Sequence, residues 1–384
     1  MQIVLAATGM VTIPPAAGGA IESYVGDIAR ILCRIPGINV TVVSNVRPGW
    51  PLGPPRVEVV PTHSPLDRYP FGRLSTVPAH VLGGTLTALA LGRLPQGTFN
   101  DGVLHLNEEV SAYLFSVLEP DRKFVLTFHN PPSELNATVY SESERVLRLA
   151  DGLLYRRTLR KKRAHIIVQT SYLRDFLMDR WSVDGRAISV LPPPLDTDLF
   201  TPPAMRERGS RILFVGRLDA RKNVADLLRV MERVPSAATL TVVGSGHLQA
   251  ALRKFAQSRG LESRVRFLTG LPLRELIQLY RHSDLLVFPS HLETYGKVIA
   301  EAAACGTPSL IPNVPMYGDF LSSGVAVDYS IGDLDSLASR ISELLANHAE
   351  RESLGKRARD AIVDICGPPT YSGKLMSVYE KARA

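Results

Sequence analysis

Two glutamates with seven residues between them stand in Pro289-Ser-His-Leu-Glu-Thr-Tyr-Gly-Lys-Val-Ile-Ala-Glu-Ala-Ala-Ala-Cys-Gly-Thr-Pro308. An apolar run ends at Phe288, a polar turn carries Glu293, and a helical pattern opens near Gly296 with Glu301 inside it. The N–H groups at a helix start, with the dipole behind them, form a site for a diphosphate. A glycine there lets phosphate come close to the backbone. Glu293, in the loop, is placed to take a sugar hydroxyl, and Glu301, over one turn further along, a ribose. Taken by itself, the pair also fits an amphipathic helix with two solvated glutamates; the whole string favours the ligand-binding reading.

Those residues need a strand before them and a helix after them, and the chain supplies that alternation twice. Short β-branched or apolar runs alternate with helical patterns throughout, as in an α/β protein with parallel sheets. Strands are expected near Gln2–Ala7, Asn39–Ser44, Val57–Val60, Gly102–Leu106, Lys123–Thr127, His165–Gln169 and Ala187–Leu191. The stretch Leu191-Pro-Pro-Pro-Leu-Asp-Thr-Asp-Leu-Phe-Thr-Pro-Pro203 can continue neither a helix nor a central strand. After it the pattern restarts, with strands near Arg211–Val215, Thr239–Val243, Arg264–Leu268, Asp284–Phe288 and Pro308–Ile311. The division reads 1–192 for the first domain and 193–367 for the second, with a helix over about 368–384 crossing back to the first. At 384 residues, two cores are the natural expectation.

Composition bounds the classes. With 45% hydrophobic and 21% charged residues the chain is globular rather than disordered. Cys33, Cys305 and Cys366 are odd in number and widely spaced, which argues against a disulfide framework or a zinc site. No run reaches the ~18 apolar residues of a membrane span, and the first apolar stretch, Ile3 to Ala7, is too short for a signal core. A cytoplasmic protein is expected. The net charge of +7 favours anionic partners without choosing among them. Arg156-Arg-Thr-Leu-Arg-Lys-Lys-Arg163 reads first as a solvated basic face and second as a surface for peripheral contact with an anionic membrane or lipid phosphate. Nucleic acid comes last, since Tyr155 alone is interleaved for stacking.

The glutamate string resembles the E-x(7)-E motif of the family 4 retaining glycosyltransferases, with Ser290, Gly296, Gly306 and Pro308 around it. Val215-Gly-Arg-Leu-Asp-Ala-Arg-Lys-Asn223 resembles the family's G-R-x(4)-K segment, and Leu126-Thr-Phe-His129 its T-x-H. The resemblance implies a GT-B fold, two doubly wound Rossmann-like domains facing across a cleft. It implies catalytic roles for His129, Arg217, Lys222 and Glu293. Donor contacts fall to Gly18, Gly19, Gly270, Leu271, Tyr295, Gly296, Lys297, Val298 and Glu301. In the family Arg217 and Lys222 hold the donor diphosphate, and His129 lies beside the transferred sugar. Two positions depart from the pattern: Pro312-Asn-Val-Pro-Met-Tyr-Gly-Asp319 replaces a G-G-x-x-E-like segment, and Pro192-Pro-Pro194 replaces P-N-G.

The expected activity is retaining transfer of a sugar from a UDP- or GDP-linked donor to a hydroxyl acceptor. No further cofactor, metal or nucleic acid is expected. Asp196-Thr-Asp198 spells a metal-binding D-x-D but lies in the proline-rich linker, and Gly244-Ser-Gly246 lacks the third glycine of a dinucleotide fingerprint. A non-catalytic scaffold that binds nucleotide sugars is the alternative.

Overall fold

The computed structural model describes residues 1–8, 12–13, 20–46, 57–62, 77–99, 101–129, 152–154, 156–159, 163–207 and 209–383. Contacts divide the chain into two compact units, Met1–Pro194 with Pro368–Ala384, and Leu195–Gly367. Gly18 and Gly19 lie outside the described residues, as do Arg160, Lys161 and Lys162 of the basic run.

The first unit is built on seven parallel strands: β1 (Gln2–Ala6), β3 (Asn39–Val43), β5 (Val57–Val60), β6 (Val103–Leu106), β7 (Phe124–Thr127), β8 (Ala164–Val168) and β9 (Ile188–Val190). Their order is β5-β3-β1-β6-β7-β8-β9, while β2 (Thr12–Ile13) and β4 (Asn45–Val46) pair separately. Helices α1 (Ala20–Leu32), α2 (Val77–Gly92), α3 (Glu109–Leu118) and α4 (Ser171–Trp181) accompany them. Strand side chains alternate between two buried faces, as a sheet covered on both sides requires. Ile3 and Leu5 join one core with α1, whereas Val4 and Ala6 join another with Phe115 of α3 and Leu177 of α4.

The second unit carries β10 (Arg211–Val215), β11 (Thr239–Val243), β12 (Val265–Leu268), β13 (Leu285–Val287), β14 (Ser309–Pro312) and β15 (Val327–Tyr329), ordered β12-β11-β10-β13-β14-β15. Its helices are α5 (Val224–Val230), α6 (Gln249–Ser258), α7 (Leu273–His282), α8 (Lys297–Ala304), α9 (Gly318–Ser322), α10 (Leu334–Ala346) and α11 (His348–Cys366). The sequence predicts five strands here. The sixth, β15, is a three-residue edge strand, too short to leave a period-2 pattern. Gly367-Pro-Pro369 then ends α11, and α12 (Pro368–Arg383) begins on proline, which is tolerated in a first turn. Its Tyr371, Leu375, Val378 and Tyr379 recur at helical spacing and pack into the first unit's core.

Several cations are internal to the second unit rather than available to a partner. Arg206 donates to the carbonyls of Ser283 and Cys305 at 2.7 and 2.8 Å, and Arg359 to those of Thr197 and Ala304, both at 2.8 Å. In the linker, Asp196 Oδ1 accepts from the N–H groups of Asp198 and Leu199 at 3.2 and 3.0 Å, so this carboxylate closes a turn. Among the described residues no helix is long and apolar enough to cross a membrane.

Candidate functional site

In an open parallel sheet, ligands bind beyond the carboxyl ends of the strands where the strand order reverses direction. In the second unit that point lies between β10 and β13. The loop after β10 carries Arg217 and Lys222, and the loop after β13 carries Glu293 and Gly296. The two loops are bonded directly, the His291 N–H donating to the Arg221 carbonyl at 2.9 Å. A neighbouring loop buttresses them. A Cβ on Gly244 would sit 1.9 Å from the Gly216 carbonyl oxygen, so this glycine serves close backbone packing.

Five charged groups meet here. The Lys222 ammonium donates to Glu293 Oε1, which also accepts from Ser290 Oγ at 2.9 Å. Arg221 pairs with Asp219 at 2.7 Å, and Arg217, with its side chain 57% exposed, lies 3.8 Å from the same carboxylate. Burial pushes Asp219 up, but the Arg221 hydrogen bond and the charges of Arg221, Arg217 and Lys222 outweigh it and hold the carboxyl below its usual range. Burial first, then the Arg221 charge, pushes the Lys222 ammonium down to about 7. Asp219 opposes that shift, and an ion pair with Glu293 acts in the same direction. Lys222 also lies 5.1 Å from the centre of the Phe288 ring.

Helix α8 starts at Gly296, whose φ of 93° is left-handed and which offers no capping side chain. Lys297 and Val298 occupy its first turn. Inside the helix, Glu301 Oε2 accepts from the hydroxyl of Tyr280 at 2.7 Å, and Tyr280 is fully buried. Tyr295, expected as a donor contact, has its side chain in the core. Its hydroxyl lies 3.3 Å from Cys366 Sγ and its ring packs on Phe320, so only its backbone is placed to meet a ligand. Gly270 and Leu271 follow β12, two strands from the reversal point, with Gly270 at φ 66°. The segment 312–319, where the sequence departs from the family, lies under the glutamate loop. Met316 Sδ accepts from the Glu293 N–H at 3.1 Å, and the Tyr317 hydroxyl donates to the Ser290 carbonyl at 3.1 Å.

In the first unit the reversal point lies between β1 and β6. His129 follows β7, its Nε2 3.0 Å from Asn107 Oδ1 and its Nδ1 3.2 Å from Gln169 Nε2. With the amides so oriented, Nε2 carries the proton and Nδ1 accepts, a neutral imidazole. Burial pushes His129 down to about 3, in keeping with that. Its ring packs edge-on against Tyr24 at 4.8 Å. Behind it His105 bridges the Tyr379 hydroxyl at 2.9 Å and Thr127 Oγ1 at 2.6 Å; burial and the neighbouring His129 push it to about 3 as well. Glu108 caps α3 through the N–H groups of Val110 and Ser111, both at 2.7 Å; burial, with Glu109 beside it, pushes this carboxyl up to about 8.

Sequence reasoning missed Tyr280, Asn107, His105 and Met316. None belongs to a motif, and each acts through a partner distant in the chain. Among the described residues no three His, Cys, Asp or Glu side chains gather as a metal ion would require.

The model of the family described as Glycosyltransferase Family 4 matches residues 17–199, and that described as Glycosyl transferases group 1 matches residues 197–361. Among curated proteins the chain is similar to the D-inositol 3-phosphate glycosyltransferase of Xylanimonas cellulosilytica, 31% identical over 239 residues, covering 56% of this chain and 57% of the relative. That of Salinispora arenicola is 34% identical over 241 residues, covering 54% and 52%. The chain spans about half the length of the curated relatives it matches. Among solved structures, sucrose-phosphate synthase from Thermosynechococcus elongatus aligns with a TM-score of 0.80 at 21% identity over 99% of this chain and 98% of that one. Anabaena HepE in complex with UDP-glucose aligns at 0.72 and 17% identity, covering 99% of each chain. These two similarities are of fold.

Proposed function

For this chain, which belongs to the family 4 glycosyltransferases and has their GT-B fold, we propose retaining, metal-independent transfer of a hexose from a nucleoside-diphosphate sugar to a hydroxyl acceptor. The observation that carries the reading is the meeting of the Lys222 loop and the Glu293 loop at the strand-order reversal of the second unit. Charge grows on the leaving diphosphate as the bond to the sugar breaks. Arg217, Lys222 and the start of α8 receive it, so catalysis rests on preorganised electrostatics. Glu301, held by Tyr280, takes the ribose. Glu293 exchanges Lys222 for a hydroxyl of the sugar.

The leaving diphosphate takes the proton of the acceptor hydroxyl on the same face of the sugar, which retains the anomeric configuration. In the first unit, His129 is neutral and fixed by Asn107 and Gln169, so it serves as a dipole beside the sugar rather than as a cation. The UDP-glucose of HepE makes UDP-glucose the first donor to try, and the names of the curated relatives make a phosphorylated polyol the first acceptor. The test is a panel of UDP-, GDP- and ADP-sugars, scored for slow donor hydrolysis and then for transfer. Hydrolysis of one donor class is expected. Nucleotide binding without turnover of any donor would favour the scaffold reading instead.

A further inference from the structure

A second concave site lies on the first unit at the opposite edge of its sheet. It is a cavity of about 730 Å³ lined by Ala164 and Ile166 from the opening of β8 and by Ala187, just before β9. Gln169, at the His129 cluster, lies beyond the other end of β8. At about 3.3 Å per residue, that places the lining residues of β8 roughly 10–16 Å from Gln169 along the strand. The volume suits a small molecule.

Its walls divide by chemistry. Ile166, Trp181 and Val183 give an apolar floor, whereas Arg156, Arg180 and Arg186 bring three guanidinium groups to it. The Arg156 guanidinium lies 5.1 Å from the centre of the Trp181 ring. Arg180 and Arg186 are exposed and have no ion-pair partner among the described residues. Among the described residues Asp184 is the one carboxylate lining the cavity, and it accepts the Arg186 N–H at 2.9 Å. The indole Nε1 of Trp181 is buried with no hydrogen-bond partner among the described residues. Buried N–H donors are rarely left so, and each calls for an acceptor. Guanidinium forks match phosphate oxygens, and a concave wall of low dielectric concentrates their field.

We propose that this cavity binds a phosphate ester bearing an apolar group, the phosphate held by Arg180 and Arg186 and the apolar part laid against Trp181 and Ile166. The site is distinct from the one proposed for transfer and does not depend on it. A lipid head group and a soluble ester share this chemistry, so the test separates them.

Trp50 and Trp181 are the chain's two tryptophans, so Trp50→Phe leaves Trp181 emission as a direct reporter. That variant is titrated with inorganic phosphate, with a short-chain phosphatidic acid below its micelle concentration, and with phosphatidylcholine vesicles with or without phosphatidic acid. Saturable change is expected with the short-chain ester at lower concentration than with inorganic phosphate, and excess UDP leaves it in place. Arg180→Ala with Arg186→Ala should weaken it roughly tenfold or more, as for lost hydrogen bonds to a charged group. Both residues are exposed, so the fold should stay intact, and turnover with a soluble acceptor should be unchanged. Sedimentation with phosphatidic-acid vesicles, lost in the double variant, assigns the ester to a membrane lipid; response to the soluble ester alone assigns it to a free metabolite. No saturable response to any probe, or one that the double variant retains, overturns the proposal.

Discussion

The two units place polar groups beyond the carboxyl ends of their strands and treat charge in opposite ways. In the second, beyond β10 and β13, acids and bases are paired: Lys222 with Glu293, and Arg221 and Arg217 with Asp219. In the first, beyond the carboxyl ends of β6, β7 and β8, burial keeps the groups neutral. His129 sits between two amides, and the Glu108 carboxyl is pushed up to about 8. A site of paired ions is ready to exchange one partner for an anionic ligand, because each ion already has its counter-charge in a partly buried setting. A site of neutral dipoles positions a ligand without competing for charge. The second unit is therefore suited to the diphosphate and the first to the uncharged hydroxyls.

The largest effect should come from removing the cations. Arg217→Ala or Lys222→Ala should each lower kcat by roughly 10²–10³, the cost of losing one transition-state donor. Steady-state kinetics with the best donor provide the check, and near-normal turnover in both variants would end the assignment. The sign of the pH effect follows from Lys222 lying near 7 in the free protein. Its ammonium is lost as pH rises through that value, so kcat/KM for the donor should fall above about pH 7. Lys222→Arg, which cannot deprotonate, should abolish that alkaline limb. A limb unchanged in Lys222→Arg would assign it to another group.

Acid should act on the other unit. His105 is fully buried, and burial with His129 pushes it to about 3 from an ordinary 6.5. The unfolded chain takes up this proton below pH 6.5 while the folded chain refuses it. The stabilising contribution is thus complete above that value and is lost as pH falls toward 3. One such proton is worth roughly 1.4 kcal/mol per pH unit. Urea unfolding followed through Trp181 should therefore show a lower midpoint at pH 5 than at pH 7, and His105→Asn should reduce that difference. An equal pH response in the variant would mean that other groups carry it.

What the sequence made legible follows the same contrast. Lys222 and Glu293 are charged, lie in short motifs, and sit where a strand pattern gives way to a helix pattern, so type and spacing alone mark them. Asn107 and His105 are uncharged residues in or beside a short apolar strand. Their placement depends on Tyr379, His129 and the Ala6 carbonyl, which spacing does not reveal. Tyr295 shows the reverse case: a residue within the motif whose side chain belongs to the core. The edge strand β15 was hidden by its length.

A smaller effect should separate the two glutamates. Glu301→Gln should weaken binding of the free nucleoside diphosphate, whereas Glu293→Gln should leave binding nearly unchanged and slow transfer. Tyr280→Phe removes the donor to Glu301 while keeping the ring, and should weaken nucleotide binding by roughly tenfold, the value of a hydrogen bond to a charged group. Calorimetry decides between positioning and packing. A lowered melting temperature with unchanged nucleotide affinity would make Tyr280 a packing residue only.

The smallest expected effect is that of removing divalent metal. A leaving diphosphate needs its charge neutralised, and an ion held by carboxylate oxygens is one way to do it. Here Arg217, Lys222 and the start of α8 stand beyond the strand ends, and each added carboxylate would compete with them for the same cations. In the D-x-D of the linker, Asp196 Oδ1 is bonded to two N–H groups of its own turn, and Asp198 is an exposed residue of that turn. Turnover should therefore survive excess EDTA, and Asp198→Asn should retain most activity. Complete loss in EDTA, restored by magnesium or manganese, would mean that the diphosphate is held by an ion and not by the cations of the second unit.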